Sequence, residues 1–211
     1  MTMTYNSLIL EVQAYLERAD ASTVSNIPNF ISNAEYRISK DLDGNLGLVQ
    51  YIANTFLVGN GVIAKPARWR RTLTFRFGTG VGFNTQVQMY NRVYDFCNNY
   101  WPDRTQLAPP KFYADYGYYN WLVVPTPDLV YPYEIGYIEL VEPLTLANQT
   151  NWLTDYAPTA LLFGTLLEAT PFLKDDERIP TWTANYQDSI SGLKQQDSGR
   201  YTDRVSDREA D

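Results

Sequence analysis

Apolar residues recur at helical spacing along two segments near the start of the chain. Thr4 can cap the first predicted helix with its hydroxyl group, and the second helix is predicted to follow a polar loop at 20–26. Pro28 then stands in the first turn of that helix, where a missing N–H costs little. The two apolar stripes are Leu8, Val12 and Leu16, then Ile27, Ile31, Ala34 and Ile38, with Glu35, Arg37 and Lys40 off the second stripe. Residues 4–42 are therefore predicted to form a helical hairpin.

A second pair of helical patterns spans residues 156–195. The first pattern is apolar on nearly every side between 165 and 173, which predicts a buried helix. The second carries one apolar stripe opposite polar residues, formed by Trp182, Tyr186, Ile190 and Leu193. Because only a short polar break at 174–178 separates the two patterns, they are predicted to form another antiparallel hairpin.

Between the hairpins, over residues 46–146, the hydrophobic period changes to the alternation typical of strands. Strands are predicted at 51–58, 69–77, 86–94, 111–114, 121–124 and 131–141, with Leu73, Phe75 and Phe77 on one side of the second. Consecutive strands favour an antiparallel sheet. The predicted fold class is therefore α+β. It is a helical bundle from N- and C-terminal helical hairpins with an inserted antiparallel β-sheet region, in a single domain over 1–196.

The regular pattern stops after Gln196. Residues 197–211 mix acidic, basic and small polar residues and contain few apolar ones. Such a segment cannot by itself bury enough surface to offset the entropy lost on ordering. It is predicted to be an extended or disordered C-terminal arm, or an arm that becomes ordered against another subunit.

The formal net charge of -7 argues against a general attraction to nucleic acid or anionic lipid. DNA wrapping and sequence reading are disfavoured, whereas a channel through which DNA slides would tolerate this charge. No apolar run approaches the ~20 residues that a membrane span requires. The first residues also lack the basic flank and apolar centre of a signal peptide.

Two residue counts restrict the candidate chemistry. The chain has no histidine, so it lacks the commonest general base and metal ligand. Cys97 is the only cysteine, which excludes an internal disulfide and a cysteine-rich zinc site. Its aromatic neighbours predict a buried structural thiol. We predict no catalytic residue, no metal site and no cofactor.

Two motifs could indicate catalysis, but each has a simpler structural interpretation. Gly78, Gly80 and Gly82 do not complete a dinucleotide-binding or P-loop pattern, so they predict a hairpin loop. Asp175 and Asp176 could serve a hydrolase as an acid–base pair or as Mg²⁺ ligands. They precede the last predicted helix, however, and acidic residues there meet unpaired N–H groups, so a capping role is favoured.

Two further patterns could serve recognition. A Tyr- and Trp-rich region interleaves aromatic and polar residues, which suits either stacking on sugars in a carbohydrate-binding β module or a protein interface. Its candidates for inter-subunit or tail-facing contacts are Tyr116, Tyr118, Tyr119 and Trp121. A local basic patch consists of Arg68, Arg70 and Arg71. It could contact backbone phosphates or another subunit, or pair with acidic neighbours.

Several segments together resemble a known family. They are Tyr100-Trp101-Pro102, residues 110–115, residues 121–127, and above all residues 167–178, which read Leu-Glu-Ala-Thr-Pro-Phe-Leu-Lys-Asp-Asp-Glu-Arg and precede Trp182 and Tyr186. The pattern is similar to that of the head-to-tail adaptor, or connector, proteins of tailed phages, best known in short-tailed ones. The likeness covers nearly the whole chain and is an overall pattern rather than a catalytic signature.

The resemblance implies a structural virion protein rather than an enzyme. Members of that family form a ring, usually a dodecamer, beneath the portal in the neck between capsid and tail, after assembly in the host cytoplasm. The implied partners are further copies of the chain, the portal protein, a downstream tail or nozzle protein, and double-stranded DNA that passes through the lumen without sequence recognition. No membrane is implied. The C-terminal arm would dock on the portal, with Arg200, Tyr201, Arg204 and Arg208 as its contacts.

Overall fold

The computed structural model describes residues 3–18, 20–42, 46–172 and 177–201, and over these ranges the chain has mixed α and β structure. It divides into two compact units, one formed by Met1–Leu48 with Leu140–Asp211 and the other by Val49–Glu139. Helices make up the first unit, and the strands all lie in the second. The order of helices, strands and helices confirms the α+β class.

The described ranges contain six α-helices and eight strands. The helices are α1 (Tyr5–Leu16), α2 (Ala21–Asp41), α3 (Tyr94–Tyr100), α4 (Trp152–Tyr156), α5 (Pro158–Ala169) and α6 (Ile179–Tyr201). The strands are β1 (Val49–Thr55), β2 (Val62–Ala64), β3 (Trp69–Thr79), β4 (Thr85–Gln88), β5 (Tyr90–Asn91), β6 (Phe112–Tyr116), β7 (Asn120–Val124) and β8 (Pro132–Glu139).

The start of α1 has the predicted cap. The Thr4 hydroxyl accepts the Ser7 N–H at 3.2 Å, and the Ser7 hydroxyl accepts the Thr4 N–H at 2.9 Å. This reciprocal pair satisfies two N–H groups that have no partner within the helix. The predicted stripe of Leu8, Val12 and Leu16 is buried.

The prediction for the start of α2 is wrong. The helix begins at Ala21, inside the predicted polar loop, because the Asp20 carboxylate accepts both the N–H and the hydroxyl of Thr23, at 2.9 and 2.8 Å. An aspartate cap of this kind stabilises a helix start. Pro28 consequently lies inside the helix rather than in its first turn. The polar residues after Asp20 are consistent with a helix that exposes most of its first turns.

The buried helix of the first unit is α5, as its apolar composition predicts. A Cβ atom at Gly164 would lie 3.3 to 3.5 Å from side chains of both α2 and α6, namely Ala34, Ile38 and Tyr186. The glycine therefore permits close packing on two sides. Edge-on ring contacts between Tyr15 and Phe163 and between Phe30 and Phe172 add to this packing, as does an ion pair between Arg37 and Glu168.

The last helix continues beyond its predicted end. Helix α6 runs to Tyr201, so residues 197–201 are helical and the predicted arm over 197–211 begins too early. Asp197 is buried, which gives the extra turn a contact with the rest of the unit. Trp182, Tyr186 and Ile190 of the predicted stripe are also buried, whereas Leu193 is half-buried.

The second unit contains two four-stranded sheets rather than one antiparallel sheet. The first has the order β1-β8-β3-β4, with antiparallel pairing throughout. The second has the order β2-β7-β6-β5, and its β5–β6 pair is parallel. The predicted strand over 86–94 is divided between the two sheets, since β4 pairs in the first and β5 in the second.

The predicted side assignment along β3 is wrong for Leu73. Phe75 and Phe77 are buried, but Leu73 is 39% exposed. The pairing with β8 shifts between Thr72 and Thr74. An irregularity of this kind changes the phase of the alternation, so the residues before it no longer share a side with the residues after it.

The glycine loop and the single cysteine of the second unit both have the predicted structure. Gly80 and Gly82 have φ values of 77° and 67° in the turn between β3 and β4, so the glycine motif forms the predicted hairpin loop. Cys97 lies on α3, a helix that the sequence analysis did not predict, and it is fully buried as expected. Burial raises the pKa of its thiol, which agrees with a structural role.

Candidate interaction surfaces

The turn between β6 and β7 presents three exposed tyrosines. Tyr116, Tyr118 and Tyr119 are 38%, 66% and 73% exposed. Gly117 has a φ of 68°, a left-handed conformation that a glycine adopts without steric cost and that allows the tight turn. We call these three tyrosines and Gly117 the aromatic tip. Three of the four aromatic residues predicted to face a subunit or the tail therefore lie together on the surface.

A buried lysine holds one side of the aromatic tip. The Lys65 side chain is 2% exposed, and its ammonium group lies 2.6 Å from the Asp115 carboxylate and 3.5 Å from the Gly117 carbonyl oxygen. The same group lies 3.5 Å from the centre of the Trp69 ring, which adds a cation–π contact. The Trp69 ring in turn meets Tyr118 edge-on. These contacts fix the turn before any partner is bound.

The other side of the tip is supported by a tyrosine and an arginine. The rings of Tyr94 and Tyr116 lie 5.7 Å apart, and the Arg104 guanidinium lies over both of them. Arg104 also donates a hydrogen bond to the Tyr94 hydroxyl at 3.2 Å. Because Tyr118 and Tyr119 project beyond these contacts, they are the most accessible aromatic rings of the tip.

Trp121 is not a surface residue, which corrects its predicted role in inter-subunit or tail-facing contacts. It is fully buried, its ring packs edge-on against Trp69 and Phe75, and its indole N–H donates to the Thr72 hydroxyl at 3.0 Å. A ring in this position cannot stack on a sugar. The alternative of a carbohydrate-binding module therefore loses Trp121 as a stacking surface.

The basic patch meets an acidic neighbour of its own unit. The Arg68 guanidinium donates to the Glu139 carboxylate at 3.1 Å, from β8. Arg71 is exposed and Arg70 is half-buried. The ion pair agrees with the interpretation of Arg68 as a residue that pairs within the chain. Contacts of Arg70 and Arg71 with phosphates or subunits stay a prediction.

The predicted arm lies largely outside the described residues. The backbone of Arg200 and Tyr201 belongs to the last turn of α6, whereas Arg204 and Arg208 are not among the described residues. Asp175 and Asp176 also lie outside the described residues, so the choice between their capping and catalytic roles stays a prediction.

A buried carboxylate in the first unit was missed by the sequence analysis. Glu35, which was placed off the apolar stripe, is only 6% exposed. Its Oε1 atom accepts the Leu144 N–H at 3.0 Å and the Asn151 side-chain N–H at 2.7 Å. Burial raises its pKa to about 7, and the two hydrogen bonds oppose that rise. No local pattern around Glu35 indicates this, because its partners are more than a hundred residues away.

Asn151 connects this carboxylate to the start of α4. Its side-chain oxygen accepts the N–H groups of Leu153 and Thr154, at 2.9 and 3.2 Å, and so caps the helix. Its amide nitrogen donates to Glu35 and to the Glu142 carbonyl oxygen at 2.8 Å. One asparagine thus joins three backbone segments of the unit. The arrangement is suited to holding structure rather than to catalysis.

An open cleft of about 550 Å³ lies between α2, α5 and α6. On its wall the Tyr186 hydroxyl donates to the Asp41 carboxylate at 2.7 Å. Burial, followed by this hydrogen bond, raises the pKa of Tyr186 above its ordinary value. A neutral tyrosine that bonds to a carboxylate joins α6 to α2, so the pair has a structural explanation.

No group of three or more Cys, Asp or Glu side chains in the described ranges is arranged to hold a metal ion. Among the described helices, none combines the length and apolar content that crossing a membrane requires.

Comparison with protein families identifies the family of the chain. A family model described as SU10 adaptor protein matches residues 3–208. The chain belongs to this family. The SU10 adaptor proteins are a phage head–tail adaptor family, so the resemblance noted in the sequence is confirmed. The adaptor is accordingly a structural phage protein located in the virion. Comparison with curated proteins found no significant match.

Proposed function

We propose that this adaptor forms a ring, with twelve copies, that docks on the portal, connects the capsid to the tail and extends the DNA channel. The observation that carries the proposal is the family match over residues 3–208. In this role the two helical hairpins and the inserted β region act as one adaptor domain. The helices form a bundle, which bears the contacts between copies near the portal.

The aromatic tip supports a second contact, to a neighbouring copy or to the next tail or nozzle component. Exposed tyrosines give a large contact area with few rotatable bonds. Because Lys65 and Trp69 hold the turn in place, little conformational entropy is lost when a partner binds. Interfaces that must form in a fixed order during assembly benefit from such a preformed surface.

The chain end supplies the portal contact in this proposal. The arm begins in the last turn of α6 with Arg200 and Tyr201 and continues through Arg204 and Arg208, and these four residues provide charge and aromatic area for a portal surface. The helix reaches Tyr201, so truncation after that residue preserves α6 and removes the part of the arm that carries Arg204 and Arg208.

The charge of the chain suits a channel for DNA. A formal net charge of -7 on each copy disfavours adhesion of the phosphate backbone to the lumen. Arg70 and Arg71 make local contacts with a subunit or with backbone phosphates in this proposal, whereas Arg68 pairs with Glu139. No sequence recognition of DNA is needed for this function.

Portal binding tests the proposal. The adaptor is mixed with purified portal rings of the same phage, and complexes are counted by mass photometry. We expect the full chain to bind in many copies and the chain truncated after Tyr201 to lose binding, with an unchanged circular dichroism spectrum. Images of intact virions should place the adaptor in the neck. Its absence from the neck, or no binding of the full chain to portal rings, would refute the proposal.

The aromatic tip requires a separate comparison. The double variant Tyr118→Ala/Tyr119→Ala should lower the melting temperature only slightly, through loss of the Trp69–Tyr118 ring contact, and should reduce addition of the next tail component. Tyr36→Ala is the matched control, because Tyr36 is also 66% exposed but lies on α2. Equal effects of the tip variant and the control would exclude a specific role for the tip.

A further inference from the structure

The antiparallel sheet of the second unit ends in two open edges. At one edge, β1 pairs with β8 through seven consecutive residues without a shift in register. At the other edge, β4 pairs with β3 through four residues. Within the described chain, no strand pairs with the outer side of β1 or of β4. Most β1 residues and all β4 residues are exposed.

The pairing with β8 determines which backbone groups of β1 point outward. The Phe56 N–H donates to the Tyr131 carbonyl oxygen at 2.8 Å, so this pair is hydrogen-bonded directly across the ladder. Along an antiparallel ladder, residue pairs that are hydrogen-bonded to each other alternate with pairs that are not. The backbone N–H and C=O groups of Tyr51 and Ala53 therefore point away from β8, toward the open edge.

The outer edge of β4 has the same backbone alternation. The Met89 N–H donates to the Phe75 carbonyl oxygen at 2.8 Å, and the alternation then places Gln86 and Gln88 toward the open edge. Each edge thus offers at least two outward-facing residues that lie two positions apart along the strand. Their backbone N–H and C=O groups can form hydrogen bonds with an added strand.

These two edges lack the features that usually prevent strand addition. Proteins protect exposed edges with charged residues, proline, bulges or very short strands. Neither β1 nor β4 contains a charged residue or a proline. The other sheet is different, because its edge strand β2 has three residues followed directly by Lys65 and Pro66, and β5 has two residues. Among the described strands, the first sheet is therefore the one whose two edge strands, of seven and four residues, carry neither a charge nor a proline.

We propose that β1 of one copy pairs antiparallel with β4 of the next copy, so that the four-stranded sheets join around the ring. This inference rests on the proposed ring. Three antiparallel pairings separate β1 from β4, so β4 runs antiparallel to β1 within one copy. A neighbour that repeats the same strand direction consequently presents β4 in the orientation that β1 requires. A head-to-tail contact of this kind uses two different surfaces and leaves no free edge once the ring closes.

A matched pair of proline variants tests the inference. Ala53→Pro removes an outward N–H from β1 and no bond to β8. Ala64→Pro likewise removes an outward N–H from β2. The next residue, Lys65, donates its N–H across the ladder to the Tyr119 carbonyl oxygen, so the N–H of Ala64 points away from β7. Both alanines are exposed and both follow an isoleucine, so the two substitutions impose similar local restrictions.

Assembly on portal rings is measured by mass photometry, with circular dichroism and melting temperature as checks of folding. Ala53→Pro should weaken each contact about fivefold, the effect of one lost net hydrogen bond, and this loss multiplies around the ring. Gln86→Pro should behave likewise, whereas Ala64→Pro should assemble as the unsubstituted chain does. Normal assembly of Ala53→Pro and Gln86→Pro would overturn the inference and leave the ring intact. Failure of the unsubstituted chain to assemble would instead reject the proposed ring.

Hydrogen exchange of the unsubstituted chain gives a test that does not depend on how the variants fold. The amides of Tyr51, Ala53, Gln86 and Gln88 should exchange slowly in the assembled ring and rapidly in the free chain. Unchanged exchange on assembly would overturn the strand pairing. Slow exchange that appears only after a tail component is added would also overturn it, because the edges would then receive a strand from a different protein.

Discussion

Replacement of Glu35 by glutamine should remove a pH dependence of stability from the first unit. The carboxylate accepts hydrogen bonds from Leu144 and Asn151 in a site that is 6% exposed. The carbonyl oxygen of glutamine can accept the same two bonds. The substitution therefore keeps the shape and the acceptor but removes the charge that burial disfavours.

The size and sign of the effect follow from the pKa. Burial raises the pKa of Glu35 from 4.5 to about 7 in the folded chain. Because the folded pKa is above the unfolded value, the protonated group favours folding. This stabilisation is complete below about pH 4.5 and is lost as the pH rises through about 7. At ~1.36 kcal/mol for each pKa unit, the full loss is roughly 3 kcal/mol, of which about 2.5 kcal/mol falls between pH 5 and pH 8.

Urea unfolding at several pH values measures this loss, with the helical circular dichroism signal as the readout. Urea is uncharged and does not screen the electrostatic effect. The unsubstituted chain should lose roughly 2 to 3 kcal/mol relative to Glu35→Gln as the pH rises from about 5 to about 8. Glu11→Gln is the control, since Glu11 is exposed on α1. Parallel curves for the unsubstituted chain and Glu35→Gln would refute the assigned burial of the charge.

Three further predictions concern single contacts, each measured by urea or thermal unfolding. Asn151→Ala removes a helix cap and two donated hydrogen bonds and should cost about 2 to 4 kcal/mol, whereas an effect below about 1 kcal/mol would contradict the network. Lys65→Met should destabilise the second unit by about 1 to 2 kcal/mol, because the partner carboxylate is exposed and stays hydrated. Gly136→Ala should cost about 1 to 3 kcal/mol, because its Cβ would lie 2.7 Å from Thr74 and 2.8 Å from Tyr51, and a neutral result would show that these side chains move freely.

The sequence by itself determined the features that depend on near neighbours. The cap at Thr4, the buried face of α1 and the burial of α5 follow from residues within a few positions of one another. So does the hairpin loop at Gly80 and Gly82. Local periodicity reports such features because a helix or a turn is stabilised mainly by contacts between residues close in the chain. The family resemblance also needed only the order of the segments.

Tertiary structure alone decided the features that depend on distant residues. The division of the 86–94 segment between two sheets, the exposure of Leu73 and the burial of Trp121 each depend on which strands pair. The partners of Glu35 lie 109 and 116 positions away, so its sequence neighbours carry no sign of its burial. The environment of a side chain is set by every segment packed around it, whereas the hydrophobic pattern of the sequence reports only on the helix or strand that contains it.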